Sequence, residues 1–136
     1  MVTISDKKDD LDMDTVLKLL KQTYWAKDRS EDTIRKAINH SLCFGAYLTE
    51  SKKQVAFARV ITDYATTFYL CDVIVDEAFR GKGIGKKLVQ TIVSDEKLNK
   101  LRGLLLTRDA HGLYGQFGFE KEKERGMTKN PDWYIR

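Results

Sequence analysis

Three glycines stand at alternate positions in the run Arg80-Gly81-Lys82-Gly83-Ile84-Gly85-Lys86-Lys87. Glycine adopts positive φ without steric cost and lets a ligand approach the backbone closely. Successive amides in such a loop converge into an anion-binding nest. An apolar stripe at helical spacing follows, so a helix N-terminus adds partial positive charge at the same place. The chemistry this implies is the binding of a pyrophosphate or similar compact anion, with Lys82, Lys86 and Lys87 adding long-range attraction. The same run also reads as a tight turn that simply uses glycine.

Spacing removes the common competitors. In the dinucleotide fingerprint G-x-G-x-x-G the third glycine falls one residue later, and no acidic residue stands where a ribose would need it. The pattern G-x-x-x-x-G-K-[ST] fails because Arg80 occupies the first glycine position and Lys87 the Ser/Thr position. Of the 24 Lys/Arg residues, seven lie within residues 80–102 against only Asp95 and Glu96, a local excess of five positive charges. The rest of the chain is close to neutral. So concentrated a charge suits a compact anion, whereas a nucleic-acid binder spreads its basic residues over a broad face. A solvated basic helix face fits the charge equally well.

The elements that must position this loop follow from periodicity. Asp12 or Asp14 caps a helix with Met13, Val16, Leu17, Leu20 and Tyr24 at helical spacing. Ser30 starts a second helix, with Ile34, Ala37 and Ile38 on one face. Strands are expected over 42–49, 54–62 and 67–75, joined by the short turns 50–53 and 63–66 into an antiparallel meander. A first strand around 2–4 is weakly indicated. The helix after the glycines should run over 84–95, with Ile84, Leu88, Val89, Ile92 and Val93 as its stripe. A buried strand over 103–107 makes the crossover parallel and the sheet mixed. A short helix over 110–117 ends at Gly118. Phe119 onward and 127–135 are expected to give a closing hairpin. The fold class is α/β, or α+β layered: a mixed, mostly antiparallel sheet with helices on both faces.

At this point the chain resembles the GNAT superfamily of N-acetyltransferases. The run from Cys71 to Gly85 looks like that family's fourth strand followed by its Arg/Gln-x-x-Gly-x-Gly/Ala loop. Leu113-Tyr114 with Phe117-Gly118-Phe119 looks like its later Tyr-x-x-x-Gly-Phe signature. The match covers about residues 70–119, and the first forty residues fit in outline only. The resemblance implies a GNAT-like acyl-CoA N-acyltransferase fold and a single N-acetyltransferase domain over residues 1–136. It implies acetyl-CoA as co-substrate, no metal, and an unknown amine as acceptor. The strand segment Val73-Ile74-Val75 would hold the thioester and pantetheine arm. Arg80, Gly81, Lys82, Gly83, Ile84, Gly85 and Lys86 would hold the pyrophosphate. Tyr114 would be the general acid that protonates the departing thiolate. Asp109 stands where the family often has an Asn that contacts the pantetheine and supports the helix start, which implies a cofactor-binding position. Asp can cap the following helix but donates no hydrogen bond when ionised.

An amine acceptor must lose a proton before it attacks. Asp72, beside Val73, is one candidate base, although alternation points its side chain away from that of Val73. Asp63 is another, and His111 a third. Cys71 has no histidine nearby in sequence, and His40 beside Cys43 is the one close pair, so direct attack in a ternary complex is the simpler scheme. The acceptor is expected among Tyr24, Trp25 and Arg29 near the first interhelical loop, with Asp63 and Tyr64 in a facing turn. Aromatic rings with Asp63 would suit a cationic amine, and Arg29 a carboxylate.

Hydrophobic residues make up 42% of the chain and charged residues 32%, a soluble globular balance. No apolar run spans a bilayer and the N-terminus carries no secretory pattern, so the expectation is a cytoplasmic protein, monomer or homodimer, without nucleic-acid or membrane partners. Two cysteines in apolar runs read as free thiols. Rival readings are a non-catalytic acetyl-CoA or CoA sensor, a protein-lysine acetyltransferase, and a binding module that uses the basic helix.

Overall fold

The computed structural model describes residues 1–134. Its elements are β1 (Val2–Ser5), α1 (Met13–Lys21), α2 (Glu31–Asn39), β2 (Leu42–Leu48), β3 (Gln54–Thr62), β4 (Thr67–Val75), α3 (Ile84–Ser94), β5 (Arg102–Leu105) and α4 (His111–Gly115). Caps fall where the sequence puts them. The Asp12 carboxylate accepts from the Thr15 amide at 3.4 Å, and the Ser30 hydroxyl from the Thr33 amide at 3.2 Å. Helix α1 ends at Lys21, so Tyr24 stands beyond it in the interhelical turn rather than on its stripe.

The sheet order is β1-β2-β3-β4-β5. The first three pairings are antiparallel and β4–β5 is parallel, as a β4–α3–β5 crossover requires. Helices cover both faces. Ile84, Leu88 and Ile92 of α3 pack on Phe44, Ala58 and Val60 on one side. Val16, Leu20, Ile34 and Ile38 of α1 and α2 pack on Cys43, Phe57 and Ile74 on the other. Leu88 and Ile92 are wholly buried, and each such side chain contributes roughly 1.5–3 kcal/mol.

Strand β4 changes phase midway. Arg59 of β3 pairs with Asp72, but Val60 pairs with Leu70, which leaves Cys71 as an additional, unmatched residue. This is a β-bulge. Before it, Phe68 and Leu70 face α3; after it, Val73 and Val75 do, while Ile74 turns to the α1–α2 side.

The closing hairpin does not form among the described residues: nothing from Phe119 to Tyr134 is a strand. The stretch Glu120-Lys121-Glu122-Lys123-Glu124-Arg125 has no apolar alternation with which to bury a face, and Pro131 lacks an amide donor. Phe119 packs instead edge-on against Phe68 and Tyr114. Ile135, the far end of that expected hairpin, lies outside the described residues.

Candidate active site

Strands β4 and β5 pair only from Thr67–Arg102 to Leu70–Leu105. Beyond that point they separate, and β4 continues for five residues with no strand partner on its β5 side among the described residues. The Asp76 amide donates to the Val55 carbonyl at 2.9 Å. Antiparallel alternation then turns the main-chain groups of Asp72 and Ile74 toward β3, and those of Val73 and Val75 toward the opening. The main-chain groups of Val73 and the amide of Val75 are therefore free to pair with an extended ligand, as an added strand would. Ile74 is not: its main chain belongs to the sheet and its side chain to the core. Arg80 folds back over this edge, donating from Nε to the Val75 carbonyl at 3.0 Å.

The glycine loop leads into α3. Gly81 and Gly83 have φ of 79° and 80°, and Gly83 is the N-cap. A Cβ on either would meet nothing within 4 Å, so conformation, not crowding, demands glycine there. The first helical bond runs from the Lys87 amide to the Gly83 carbonyl. The amides of Ile84, Gly85 and Lys86 precede it and have no intrahelical acceptor. Lys82 and Lys86 are exposed beside them. Lys87 is not part of this cluster: its Nζ donates to the Val2 carbonyl at 2.6 Å, tying α3 to β1.

A cleft of about 1330 Å³ joins this edge to the α1–α2 turn. That exceeds the roughly 300–1,000 Å³ of an ordinary small-molecule site. At one end it is lined by Val73, Val75, Arg80, Gly85, Asp109 and Tyr114. At the other it is lined by Tyr24, Trp25 and Arg29, as the sequence suggested, and also by Asp28, Arg59 and Arg108. Of the loop, only Arg80 and Gly85 line it; Gly81, Lys82, Gly83 and Lys86 are exposed and do not, and Ile84 is buried in the α3-side core. Tyr69, Trp133 and Tyr134 complete the aromatic wall.

Asp63 and Tyr64 do not line the cleft. Asp63 organises its own turn, accepting from the Thr66 hydroxyl at 2.7 Å and from the Ala65 and Thr66 amides. Those bonds, the hydroxyl's first, hold its carboxyl far below the usual range. Tyr64 is 54% exposed, at φ 61°. His111 is exposed and also lies off the cleft. Asp109 lines the cleft but does not cap α4: the N-cap is Ala110, whose amide bonds the Thr107 hydroxyl at 3.0 Å.

Asp72 lies at the floor, 1% exposed. Its Oδ1 accepts from Trp25 Nε1 at 2.9 Å. Its Oδ2 accepts from Arg29 Nη1 and Arg59 Nε, each at 2.8 Å. Burial alone would raise its pKa, but the charges and hydrogen bonds of Arg59 and Arg29 outweigh burial and hold it below the usual value. A carboxylate so occupied is a weak proton acceptor. Because its folded pKa is depressed, its contribution is complete above the unfolded value and fades as pH falls through 3.8 and below. The stability difference between wild type and Asp72→Asn should accordingly shrink below about pH 4 in acid titrations of urea unfolding. A constant difference would mean that the carboxylate is not held ionised.

Tyr114 sits on the opposite wall, packed edge-on to Phe119 with ring centroids 6.0 Å apart. Burial first, and then the Asp109 charge, push its phenol up to about 12. It stays protonated at any working pH and can only donate. Cys71 also lines the cleft, with its thiol pushed up to about 11 chiefly by burial. A thiol so rarely ionised is a poor nucleophile.

Sequence reasoning missed Arg59, Asp28, Tyr69 and Arg108. Arg59 read as an ordinary strand residue. A charge within an otherwise apolar strand, opposite Asp72, was the signal available.

Residues 39–121 match the family model described as an acetyltransferase (GNAT) domain. A crystal structure from Xanthomonas campestris pv. campestris, of a protein placed in the GNAT family, is 41% identical, with a TM-score of 0.89 over 96% of this chain and 94% of that one. The histone acetyltransferase TAP1 of Glycine max is 29% identical over 66% of this chain and 39% of its own. The chloroplastic GCN5-related N-acetyltransferase 2 of Arabidopsis thaliana is 32% identical over 62% of this chain and 33% of its own. The chain spans less than two thirds of the length of each of these two curated relatives. With the family model covering more than half of the sequence and the sheet opening where a donor would lie, the chain belongs to the GNAT family of acetyltransferases.

Proposed function

We propose that this protein is an acetyl-CoA-dependent N-acetyltransferase that moves an acetyl group to a primary amine by direct attack in a ternary complex. The observation that carries this reading is the unpaired β4 edge, continuous with a positive-φ glycine turn and a helix start. Acetyl-CoA supplies an activated acetyl thioester. Val73 and Val75 present main-chain groups to its pantetheine arm, and the Val73 amide is the donor for the carbonyl oxygen. The amides of residues 81–86, with Lys82 and Lys86, hold the pyrophosphate. Tyr114 donates a proton to the departing sulfur. Asp72 orients the two arginines and takes no proton. The proton of the amine passes to water at the cleft rim, where Asp28 is exposed and makes no ion pair among the described residues. The raised thiol pKa of Cys71 favours direct attack over an acyl-cysteine.

Residues 1–136 are read as one catalytic domain acting in the cytoplasm. No helix among the described residues is long and apolar enough to cross a membrane. Both cysteines are free, which suits a reducing compartment.

Gly83→Ala tests the donor site. The left-handed conformation costs a Cβ-bearing residue about 1–2 kcal/mol. Acetyl-CoA affinity, measured by titration calorimetry, should fall by about tenfold if that conformation is kept for the ligand. Equal affinity in the variant, or no acetyl-CoA binding by the wild type, defeats the reading. A non-catalytic sensor would bind acetyl-CoA equally well but release no free CoA with any amine.

A further inference from the structure

The acceptor end of the cleft carries an unbalanced charge. Three arginines line it, Arg29, Arg59 and Arg108, against two aspartates, Asp28 and Asp72. Asp28 is exposed at the rim, where water screens it. Arg108 is exposed too, its guanidinium stacked 3.7 Å over the Tyr24 ring. At the floor, one carboxylate serves two guanidiniums. Arg59 is 12% exposed and bonded on its remaining side to the Ser41 hydroxyl at 3.1 Å. Arg29 is 25% exposed and, among the described residues, has only its Nη1 engaged, by Asp72. One positive charge is left without a counter-charge, on a partly exposed side chain that lines the cleft. Such a charge is costly unless something pairs with it.

We infer that the acceptor carries a carboxylate, which Arg29 receives at the floor of the cleft, so that the substrate class is a small amino-carboxylate. The inference rests on the acetyltransferase reading above and concerns only its acceptor. Three features define the fit. Asp72 engages Arg29 through Nη1, and Nε and Nη2 of this cleft-lining residue have no protein acceptor among the described residues, which leaves donors of the planar guanidinium for a carboxylate. A single excess charge matches a monoanion. The Trp25 indole, locked by its bond to Asp72 and edge-on to Tyr24 at 5.1 Å, gives a rigid apolar wall for a side chain. Arg29 is thus a specificity residue, and Asp72, Arg59 and Trp25 are positioning residues that act through it.

The test is equilibrium binding to the wild-type protein saturated with CoA, so that no turnover is needed. Free amino acids are compared with the amines formed by removing their carboxyl group and with their primary amides. A hydrogen-bonded ion pair predicts about 10- to 100-fold tighter binding of the carboxylates. Arg29→Gln should abolish that preference, while acetyl-CoA is still bound. Arg29→Lys should restore part of it. Circular dichroism and thermal melting establish that the variants fold. Equal or tighter binding of the decarboxylated amines overturns the inference. So does binding of lysine peptides without any free amino acid, or no binding by any member of the panel. In each of those cases intact acetyl-CoA binding leaves the donor reading standing, whereas its loss brings down the acetyltransferase reading itself.

Discussion

Asp72→Ala should lower the unfolding free energy by about 3–5 kcal/mol, because it strands two guanidiniums at the floor of the cleft. Asp72 accepts three hydrogen bonds and is almost wholly buried. Its removal takes away the counter-charge and leaves Arg59, the less exposed arginine, without an ionic partner. Urea unfolding at about pH 7 measures the loss. Asp72→Asn should lose less, since the amide oxygen still accepts a bond from Trp25. A deficit below about 1 kcal/mol for the alanine variant would mean that water reaches the arginines freely, and that Asp72 is not a structural anion.

Tyr114→Phe should reduce turnover by about 100-fold while acetyl-CoA affinity stays nearly unchanged. The substitution removes only the hydroxyl. The ring keeps its edge contact with Phe119 and its place against the α3-side core, so folding should hardly change. The pH dependence has a defined sign. Because the phenol's folded pKa is raised to about 12, Tyr114 favours the folded state below its unfolded value near 10 and loses that contribution as pH passes 12. It remains a donor throughout the working range, so no alkaline fall in rate below about pH 10 should vanish in the phenylalanine variant. Free CoA release under saturating acetyl-CoA measures the effect, and an unchanged rate removes Tyr114 from the chemistry.

The meander, the crossover and both capped N-terminal helices were legible because each rests on local periodicity and a capping side chain. The glycine loop was legible for a related reason: positive φ leaves a compositional mark. Other features leave none. The bulge at Cys71 adds one residue to β4 without altering its apolar character, so simple alternation puts Phe68, Leu70 and Asp72 on one face. Arg59 and Asp72 lie 13 residues apart, and only strand pairing brings them together. Asp63 beside Tyr64 suggested an acceptor turn, yet the Asp63 carboxylate is consumed by its own backbone. Trp133 and Tyr134 suggested a hairpin, and they reach the cleft without any strand.

The unmatched Cys71 acts on β4 as a single inserted base acts on a reading frame. Every later position of the strand is read from the opposite side. Without it, the residue holding the arginines would face α3, and the valine edge would lose its relation to the cleft. With it, two consecutive residues serve different ends of the cleft: Asp72 holds Arg29 and Arg59 by its side chain, and Val73 turns its main chain to the unpaired edge. On the function proposed above, side chains around position 72 could therefore change at the acceptor end while the main chain at 73 kept the donor end. A deletion at 71 would scramble both at once.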